Sequence, residues 1–432
     1  MNTNLLADDF KAEPYWWDDA PRPERRDDAL PDEVDVLVVG AGYTGLHAAL
    51  QTARDGLGTL VLDAETPGFG CSSRNGGQVS TSVKGTYPEL SAKHGRDRAI
   101  GLLREGIDSL NFLESFIEEE NINCEWSRPG RFSGAHNPAA YDAAGKALQA
   151  LPEEVAVPWH MVPRSEQRSE IGSDLYHGGV VYPDHGALDP GHYHLELLDR
   201  ARKGGALVIG HCPVVRIERD GTGFIVHTSR GNIRAGKVAI ATNGYTRSVT
   251  PWMRRRVIPI GSYIIATEKL DEQLAHELSP QNRVMSDSRK VVFYYRLSPD
   301  KRRVLFGGRV ALKETNPLVS APALHQAMCR IFPQLESTRI SHSWHGFVAY
   351  TFDELPHIGE NDGVHYSMGY CGSGISLASY CGSMMGRRIC GLEKHTSPFA
   401  DINFSTRPFY TGDPWFLAPS VFYYKLRDQL NL

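Results

Sequence analysis

A strand-helix-strand pattern of apolar and polar positions opens the folded part of the chain. Residues 34–39 form a short apolar run rich in β-branched side chains, which is typical of a buried parallel strand. Apolar side chains then recur at helical spacing from 46 to 53, and Gly56 stands where a helix C-cap belongs. A second apolar run follows at 59–62. The pattern predicts a parallel β-α-β unit.

The turn between the first strand and the helix is rich in glycine. Gly40, Gly42 and Gly45 fit the spacing G-x-G-x-x-G, which permits a tight turn, close approach of a pyrophosphate and close packing of helix on strand. Asp63 ends the second strand, 21 residues after Gly42, where an acid hydrogen-bonds a ribose hydroxyl and repels a 2′-phosphate. The alternative is a glycine-rich turn without a ligand. The strand, the helix and the acid together favour dinucleotide binding.

The rest of the chain alternates helices and strands. An apolar stripe predicts a helix from 88 to about 120, and Asp189 with Pro190 makes an N-cap and first-turn pair that opens a helix ending at Gly204. Residues 363–391 are predicted to form a strand, a glycine turn and a helix. Further strands are predicted at 206–210, 214–217, 224–228, 237–244, 263–267, 291–297 and 304–308.

Composition and charge narrow the class of protein. The chain has 432 residues, of which 41% are hydrophobic and 22% charged, as in ordinary globular proteins. The net charge of −5 argues against nucleic acid as a partner. The N-terminus lacks a basic start followed by an apolar stretch, and no run approaches the roughly 18 apolar residues of a membrane span. The seven cysteines form no C-x-x-C pair. We expect a soluble cytoplasmic enzyme with reduced thiols and no metal site.

Three segments of small residues favour a flavin over a nicotinamide cofactor. The loop 68–78 follows the second strand, and its backbone N–H groups can approach a flavin ring and a pyrophosphate. Residues 239–244 end a strand in small side chains that suit the adenosine half of the cofactor. Residues 369–375 end a strand and start a helix whose N-terminus can stabilise negative charge on a reduced ring. A surface loop for the first segment and a tightly packed core helix for the last are the alternatives.

In this order, the motifs G-x-G-Y-T-G, S-x-R-N-G-G, A-T-N-G and G-Y-x-G-x-G resemble those of the D-amino-acid-oxidase-like superfamily of flavoproteins. Within it the chain is most similar to the γ-glutamylputrescine oxidase branch, which includes glycine and sarcosine oxidase relatives. The resemblance runs from about residue 15 to 395. It implies FAD as cofactor and oxidation of a C–N bond in an amine or amino acid. Hydride would pass to flavin N5, the imine would hydrolyse, and O2 would reoxidise the flavin to give H2O2. The alternatives are a dehydrogenase that passes electrons to a quinone or a protein, an NAD-dependent oxidoreductase, and a non-catalytic flavin-bearing subunit of a larger assembly.

The resemblance also implies which residues hold FAD. Relatives attach the flavin through a Cys in the strand matching 347–352 or through a His in the loop matching 72–77, and this chain has neither, so FAD is expected to be non-covalent. The predicted cofactor-binding residues are Gly40, Gly42, Tyr43, Thr44, Gly45, Asp63, Ala64, Ser72, Arg74, Asn75, Gly76, Gly77, Gln78, Val214, Val215, Thr242, Asn243, Gly244, Gly346, Gly372, Ser373, Gly374 and Ile375.

An aromatic pocket above the flavin would keep the amine neutral and exclude water. Its predicted wall consists of Tyr263, Phe293, Tyr295, Trp344 and Tyr370, although each Tyr has plain core packing as its alternative. His345 is predicted to accept the amine proton or to help activate oxygen, with a structural histidine as the alternative. Arg309 and Lys313 are candidates for a cation that stabilises reduced flavin or binds a substrate carboxylate.

The predicted fold is α/β, a glutathione-reductase-like FAD-binding Rossmann domain with an inserted α+β substrate domain built on a mixed or antiparallel sheet. The FAD domain comprises 31–87, 183–250 and 336–395, and the substrate domain 88–182 and 251–335. Residues 1–30 form an arm that docks through Tyr15, Trp16 and Trp17, and 396–432 a tail packed on the body. We expect a monomer or small homo-oligomer whose partners are a small amine and O2.

Overall fold

The computed structural model describes residues 5–309, 316–393, 396–400 and 402–430. The strands, numbered β1 to β19 in chain order, are Leu6–Lys11, Glu33–Val39, Thr59–Leu62, Gln78–Val79, Arg131–Gly134, His160–Val162, Gly179–Tyr182, Gly186–Ala187, Leu207–Ile209, Val214–Asp220, Gly223–Thr228, Gly231–Ile240, Val257–Thr267, Val284–Asp287, Phe293–Leu297, Val304–Gly308, Ile340–Thr351, His357–Asn361 and Val364–Met368. The helices, α1 to α10, are Tyr43–Arg54, Tyr87–His94, Arg96–Glu119, Pro138–Gln149, Pro190–Lys203, Pro251–Arg254, Glu272–Leu278, Pro317–Ile331, Gly374–Ile389 and Leu417–Leu430.

The first sheet contains the predicted β-α-β unit. Within the described residues it has eight strands, in which β9, β3, β2, β12 and β19 run parallel side by side, while β10, β11 and β18 add antiparallel pairs. Its parallel strands are buried on both faces, as their continuous apolar runs require. Helices α1, α5 and α9 pack on one face, and side chains from α6 and the C-terminal tail pack on the other.

The second sheet is mixed. In the described part of the chain it has nine strands in the order β1-β17-β13-β16-β15-β14-β5-β7-β6. Side chains alternate between its two faces. The inner face carries Ile264, Leu305 and Trp344, which pack against Trp16. The outer face carries Tyr295 and Phe306, among other apolar side chains, and packs against α8.

The strand β17 connects the two halves of the molecule. It pairs with β13 along most of its length, whereas Ala349 near its end accepts a hydrogen bond from Cys371 N at 3.1 Å, just before α9. The segment 336–395 predicted for the FAD domain therefore contributes β17 to the second sheet and β19 to the first. The arm likewise contributes β1, which pairs with β17.

Most predicted elements are confirmed, and the α/β class with a mixed sheet is confirmed as well. The helix that opens at Asp189 does so through hydrogen bonds from Gly191 N (2.7 Å) and His192 N (3.0 Å) to the Asp189 carboxylate. The single helix predicted from 88 to about 120 is wrong. Gly95, at φ +82°, divides that stretch into α2 and α3, because every residue of an α-helix needs a negative φ.

Candidate functional site

The carboxyl ends of β2, β3, β12 and β19 meet at one edge of the first sheet, where open α/β sheets bind ligands. The turn after β2 depends on glycine at two positions. A Cβ on Gly40, whose φ is +107°, would lie 2.9 Å from Ala241 O, and a Cβ on Gly45 would lie 1.9 Å from Gly40 O. The N-cap residue of α1 is Gly42, which has no side chain to cap the helix, and the first N–H groups of α1 point to this edge.

Asp63 follows β3 and its carboxylate faces the glycine turn. Oδ2 accepts a hydrogen bond from Ala41 N (2.8 Å), and Oδ1 accepts one from Glu65 N (3.0 Å). Burial raises the pKa of Asp63 to about 6, against the opposing effect of these two donors. A carboxylate accepts about four hydrogen bonds. The remaining capacity suits the ribose hydroxyls that the sequence analysis assigned to it.

The loop after β3 closes over the same edge. Ser72 Oγ accepts a hydrogen bond from Tyr43 N at 3.0 Å, which ties the loop to the start of α1. Asn75 shapes the loop from inside, because its Nδ2 donates to Cys71 O and Ser72 O (both 3.1 Å) and its Oδ1 accepts from Gly77 N (2.9 Å). The small-residue segment is thus an ordered turn rather than a loose surface loop.

Tryptophans from two distant segments hold this loop. Trp16 Nε1 donates to Asn75 O at 2.8 Å, and Trp17 Nε1 donates to Ser73 Oγ at 3.0 Å. From β17, Trp344 Nε1 donates to Arg74 O at 2.8 Å. The N-terminal arm therefore packs directly on residues 68–78, which we call the flavin loop. Trp16 is only 1% exposed there.

The start of α9 forms another side of the site. Gly372 has φ +99°, and a Cβ on Gly374 would meet nothing within 4 Å, so open space lies beside the helix start. Ser373 is the N-cap residue and makes no side-chain cap hydrogen bond. Asn243, after β12, accepts a hydrogen bond from Gly369 N at 2.9 Å and so holds the two neighbouring loops together. Two helix starts whose N-cap residues make no side-chain hydrogen bond, a buried carboxylate and glycine-lined space fit a bound dinucleotide.

The inner face of the second sheet meets the flavin loop. A Cβ on Gly76 would lie 3.0 Å from Tyr294 Cε2, and a Cβ on Gly346 would lie 3.4 Å from Cys71 Sγ. Tyr294 OH is 2.9 Å from Ser262 Oγ on the adjoining part of this face. Burial raises the pKa of Tyr294 above its usual range, so the hydroxyl stays neutral. Tyr294 and Ser262 were not predicted from the sequence, although strand alternation relative to Trp344 indicates them.

Three of the predicted pocket residues lie on the opposite, outer face. Tyr295 OH donates to Tyr176 OH at 2.9 Å inside the core. Tyr263 is fully buried there, and its ring stacks on that of His345 with centroids 5.6 Å apart. Strand alternation turns these side chains away from Gly346 and the flavin loop. Phe293 lies on the same outer face, where it stacks on Phe306, so the structure does not bring these three predicted residues to the face that meets the flavin loop.

The other predicted pocket aromatics are also buried. Tyr370 lies between α1 and α9, where its hydroxyl is 2.7 Å from Thr44 Oγ1 and 2.9 Å from Ser367 Oγ, so it is a core residue. Trp344 is fully buried and contacts the flavin loop through its hydrogen bond to Arg74 O, so it does not line open space. Arg309 follows β16, and its Nη1 donates to Gly261 O at 2.8 Å. Lys313 lies outside the described residues.

The remaining residues predicted to bind the cofactor differ in their position and in which of their atoms are available to it. Tyr43 directs its hydroxyl to Pro190 O at 3.1 Å, so that its backbone rather than its side chain is available at the turn. Val215 is 57% exposed at an irregularity in β10, beside the better buried Val214. Gln78 Nε2 donates to backbone oxygens of β14 and β15 and thereby joins the loop to the second sheet. The others lie at the sheet edge, on the flavin loop or at the start of α9: Ala64, Thr242, Gly244 and Ile375.

The fold and this edge define a flavin-dependent oxidoreductase. A protein-family model described as "FAD dependent oxidoreductase" (DAO) matches residues 35–388, and the chain belongs to this family. Its cofactor is accordingly FAD.

Individual relatives cover nearly the whole chain. It is 32% identical over 425 residues to the probable oxidoreductase OrdL of Rhizobium meliloti (strain 1021). The alignment covers 96% of this chain and 97% of that protein. It is 31% identical over 411 residues to gamma-glutamylputrescine oxidoreductase of Escherichia coli (strain K12), with 92% and 93% covered. The crystal structure of glycine oxidase from Geobacillus kaustophilus has a similar fold, with a TM-score of 0.73, 18% identity and 86% and 99% coverage. Among the described residues, no helix is long and apolar enough to cross a membrane.

Proposed function

We propose that this protein oxidises a C–N bond of an amine and uses O2 as the electron acceptor. The observation that carries the proposal is the pairing of the glycine-rich flavin loop with a neutral hydroxyl pair, Tyr294 and Ser262, on the inner face of the second sheet. Bound FAD would supply a two-electron acceptor for the hydrogen on the carbon next to nitrogen, leaving an imine that water converts to a carbonyl compound and an amine.

The residues of this chain contribute position and environment. The hydroxyl pair can accept an N–H of the substrate amine and so orient the neighbouring C–H bond. Both residues are partly buried, and a site that excludes water disfavours the charged ammonium form of the amine. The uncapped start of α9 presents N–H groups that stabilise negative charge developing nearby.

The names of the relatives support an amine as the substrate and indicate which class of amine it is. One of them is named for a γ-glutamylated polyamine, and it aligns over 92% of this chain. We therefore infer an acylated polyamine as the substrate class, in preference to free glycine or a free D-amino acid.

A panel of substrates on the FAD-loaded protein tests the proposal. Primary amines, N-methyl amino acids, D-amino acids and γ-glutamyl polyamines would be mixed anaerobically with the enzyme, and flavin bleaching recorded. We expect bleaching by acylated polyamines, followed by oxygen uptake and stoichiometric peroxide on exposure to air. Bleaching by alcohols or hydroxy acids alone would contradict C–N oxidation. Bleaching by amines without oxygen uptake would instead indicate a dehydrogenase.

A further inference from the structure

A largely buried arginine without an acidic partner lies at the start of β5. Arg131 Nε is buried and has no hydrogen-bond partner, and in the described part of the chain no carboxylate forms an ion pair with its guanidinium. Glu170, in the same part of the chain, is paired with Arg283 instead. Burial lowers the pKa of Arg131 to about 10. Since an unpaired buried cation is costly, this guanidinium is suited to receive an anion.

Two further polar groups adjoin it. Tyr182 pairs with Arg131 across β5 and β7, and its ring stacks on His185 with centroids 4.9 Å apart. His185 is 3% exposed, and burial together with the charges of Arg131 and Arg128 holds its pKa well below the usual value, so it is neutral. Its Nε2 is 3.3 Å from Thr81 Oγ1, while its Nδ1 is buried without a partner. If the Thr81 hydroxyl donates to Nε2, then Nδ1 carries the proton and is a free donor.

This cluster lies on the same sheet face as the hydroxyl pair of the proposed active site. Phe132 belongs to the outer-face core, so alternation places Arg131 and Ser133 on the inner face. Ser133 pairs with Ser286 on β14, and Ser286 pairs with Tyr294 on β15. Paired residues lie on the same face, so all three side chains are on the inner face. Two strand spacings and two residues along β5 separate the Cα atoms of Tyr294 and Arg131 by about 12 Å. Hydroxyl side chains therefore lead from the flavin loop to the unpaired guanidinium.

The geometry points to a carboxylate-binding subsite formed by Arg131, His185 and Tyr182, which would hold the far end of the substrate. The inference rests on the proposed function and deepens it. The substrate would be an amine whose acyl group bears a carboxylate, with the amine at Tyr294 and the carboxylate at Arg131. A γ-glutamyl amide has this chemistry. Neutral acyl groups would leave the guanidinium unpaired.

Calorimetric titration of the FAD-loaded protein with two unreactive probes tests the subsite. The probes are γ-glutamyl-n-butylamide and the same compound with its α-carboxylate converted to a carboxamide. Neither has the terminal amine of the proposed substrate. We expect the carboxylate to bind about 10- to 100-fold more tightly, as for a charge-assisted hydrogen bond. The Arg131→Gln variant should bind the two probes equally.

A matched control is Arg168→Gln, because Arg168 belongs to the same part of the chain but pairs with Asp174 at the surface. This control should keep the preference for the carboxylate. Equal binding of both probes by the unaltered protein would overturn the subsite, and so would loss of the preference in Arg168→Gln. If Arg131→Gln fails to fold, the two probes are compared on the unaltered protein and on a His185→Phe variant. We expect His185→Phe to weaken the preference for the carboxylate, and an unchanged preference would argue against the subsite.

The outcome is separable from that of the proposed function. A preference for the carboxylate together with no amine oxidation would reject the C–N chemistry and keep the anion site. Oxidation of acylated polyamines with equal binding of the two probes would keep the chemistry and reject the subsite. Steady-state kinetics test the same subsite directly. Arg131→Gln should raise KM for a γ-glutamyl polyamine much more than for a polyamine with a neutral acyl group.

Discussion

Asp63, which we propose binds the ribose of FAD, is a buried carboxylate whose ionisation also affects stability. It accepts hydrogen bonds from two backbone N–H groups, yet burial raises its pKa to about 6. Because its pKa in the folded protein lies above that in the unfolded chain, the native state binds a proton more tightly. The apoprotein should thus lose stability as the pH rises through this window, from about 4 to about 6. Ribose hydroxyls that donate to the ionised carboxylate would offset this cost.

The first prediction concerns Asp63→Asn. The amide does not ionise, so the variant's apoprotein should lack this loss, which amounts to about 3 kcal/mol in the free energy of unfolding. Its affinity for FAD should fall about 10- to 100-fold, because charge-assisted hydrogen bonds are lost. Urea unfolding of the apoprotein at pH 4 and pH 7, and FAD titration at pH 7, measure the two effects.

Asp35→Asn is the matched control. Asp35 lies on β2 of the same sheet and accepts a hydrogen bond from Gly58 N at 2.7 Å, but away from the carboxyl edge. This variant should keep the affinity of the parent protein for FAD. Equal FAD affinity in Asp63→Asn and the parent protein would refute the assignment of Asp63.

At the scale of the element, two adjacent residues of strand β15 lie in different surroundings, one at the proposed substrate site and the other in the core. Tyr294 faces the flavin loop and contacts Ser262, whereas Tyr295 faces the core and donates to Tyr176. Each has the same hydroxyl and a buried ring. Only the alternation of the strand assigns them to different faces.

This pair gives the second prediction. Tyr294→Phe should lower kcat/KM for an amine substrate about 10-fold, because a hydroxyl that orients the amine is lost. Tyr295→Phe should lower the free energy of unfolding by about 1 kcal/mol, because Tyr176 loses its hydrogen bond, while kcat/KM stays within about twofold. Steady-state kinetics and urea unfolding of both variants measure this. The reverse pattern would show that the outer face carries the substrate.

At the scale of the whole molecule, segments far apart in sequence converge on the flavin loop. The arm provides Trp16 and Trp17, and β17 provides Trp344, so that the loop is held by three indole N–H groups. We expect this network to retain FAD by enclosing it, without a covalent bond. The strand 347–352 and the loop 72–77 contain no Cys or His that could form one.

The third prediction is therefore that FAD leaves the protein on denaturation. After precipitation with acid, the yellow colour should remain in the supernatant and its spectrum should be that of free FAD. A yellow pellet would contradict non-covalent binding. In that case Cys71→Ser would identify the attachment, because the Cys71 thiol lies beside Gly346.

The sequence by itself determined the local features of this protein. The spacing of Gly40, Gly42 and Gly45 and the acid at 63 depend on sterics and hydrogen bonding within one β-α-β unit, and the structure reproduces that unit. The same holds for the cap at Asp189, which bonds N–H groups only two and three residues away.

Only the tertiary structure decided which aromatic and charged side chains share the site. The strands β15 and β17 carry aromatic residues on both faces, and pairing between distant strands determines which face meets the flavin loop. Tyr294 was missed and Tyr295 was chosen for this reason. Arg131 is likewise an ordinary arginine in the sequence. Its missing acidic partner becomes visible only when β5, β7 and β14 pair and bury it, because burial and charge pairing depend on residues far along the chain.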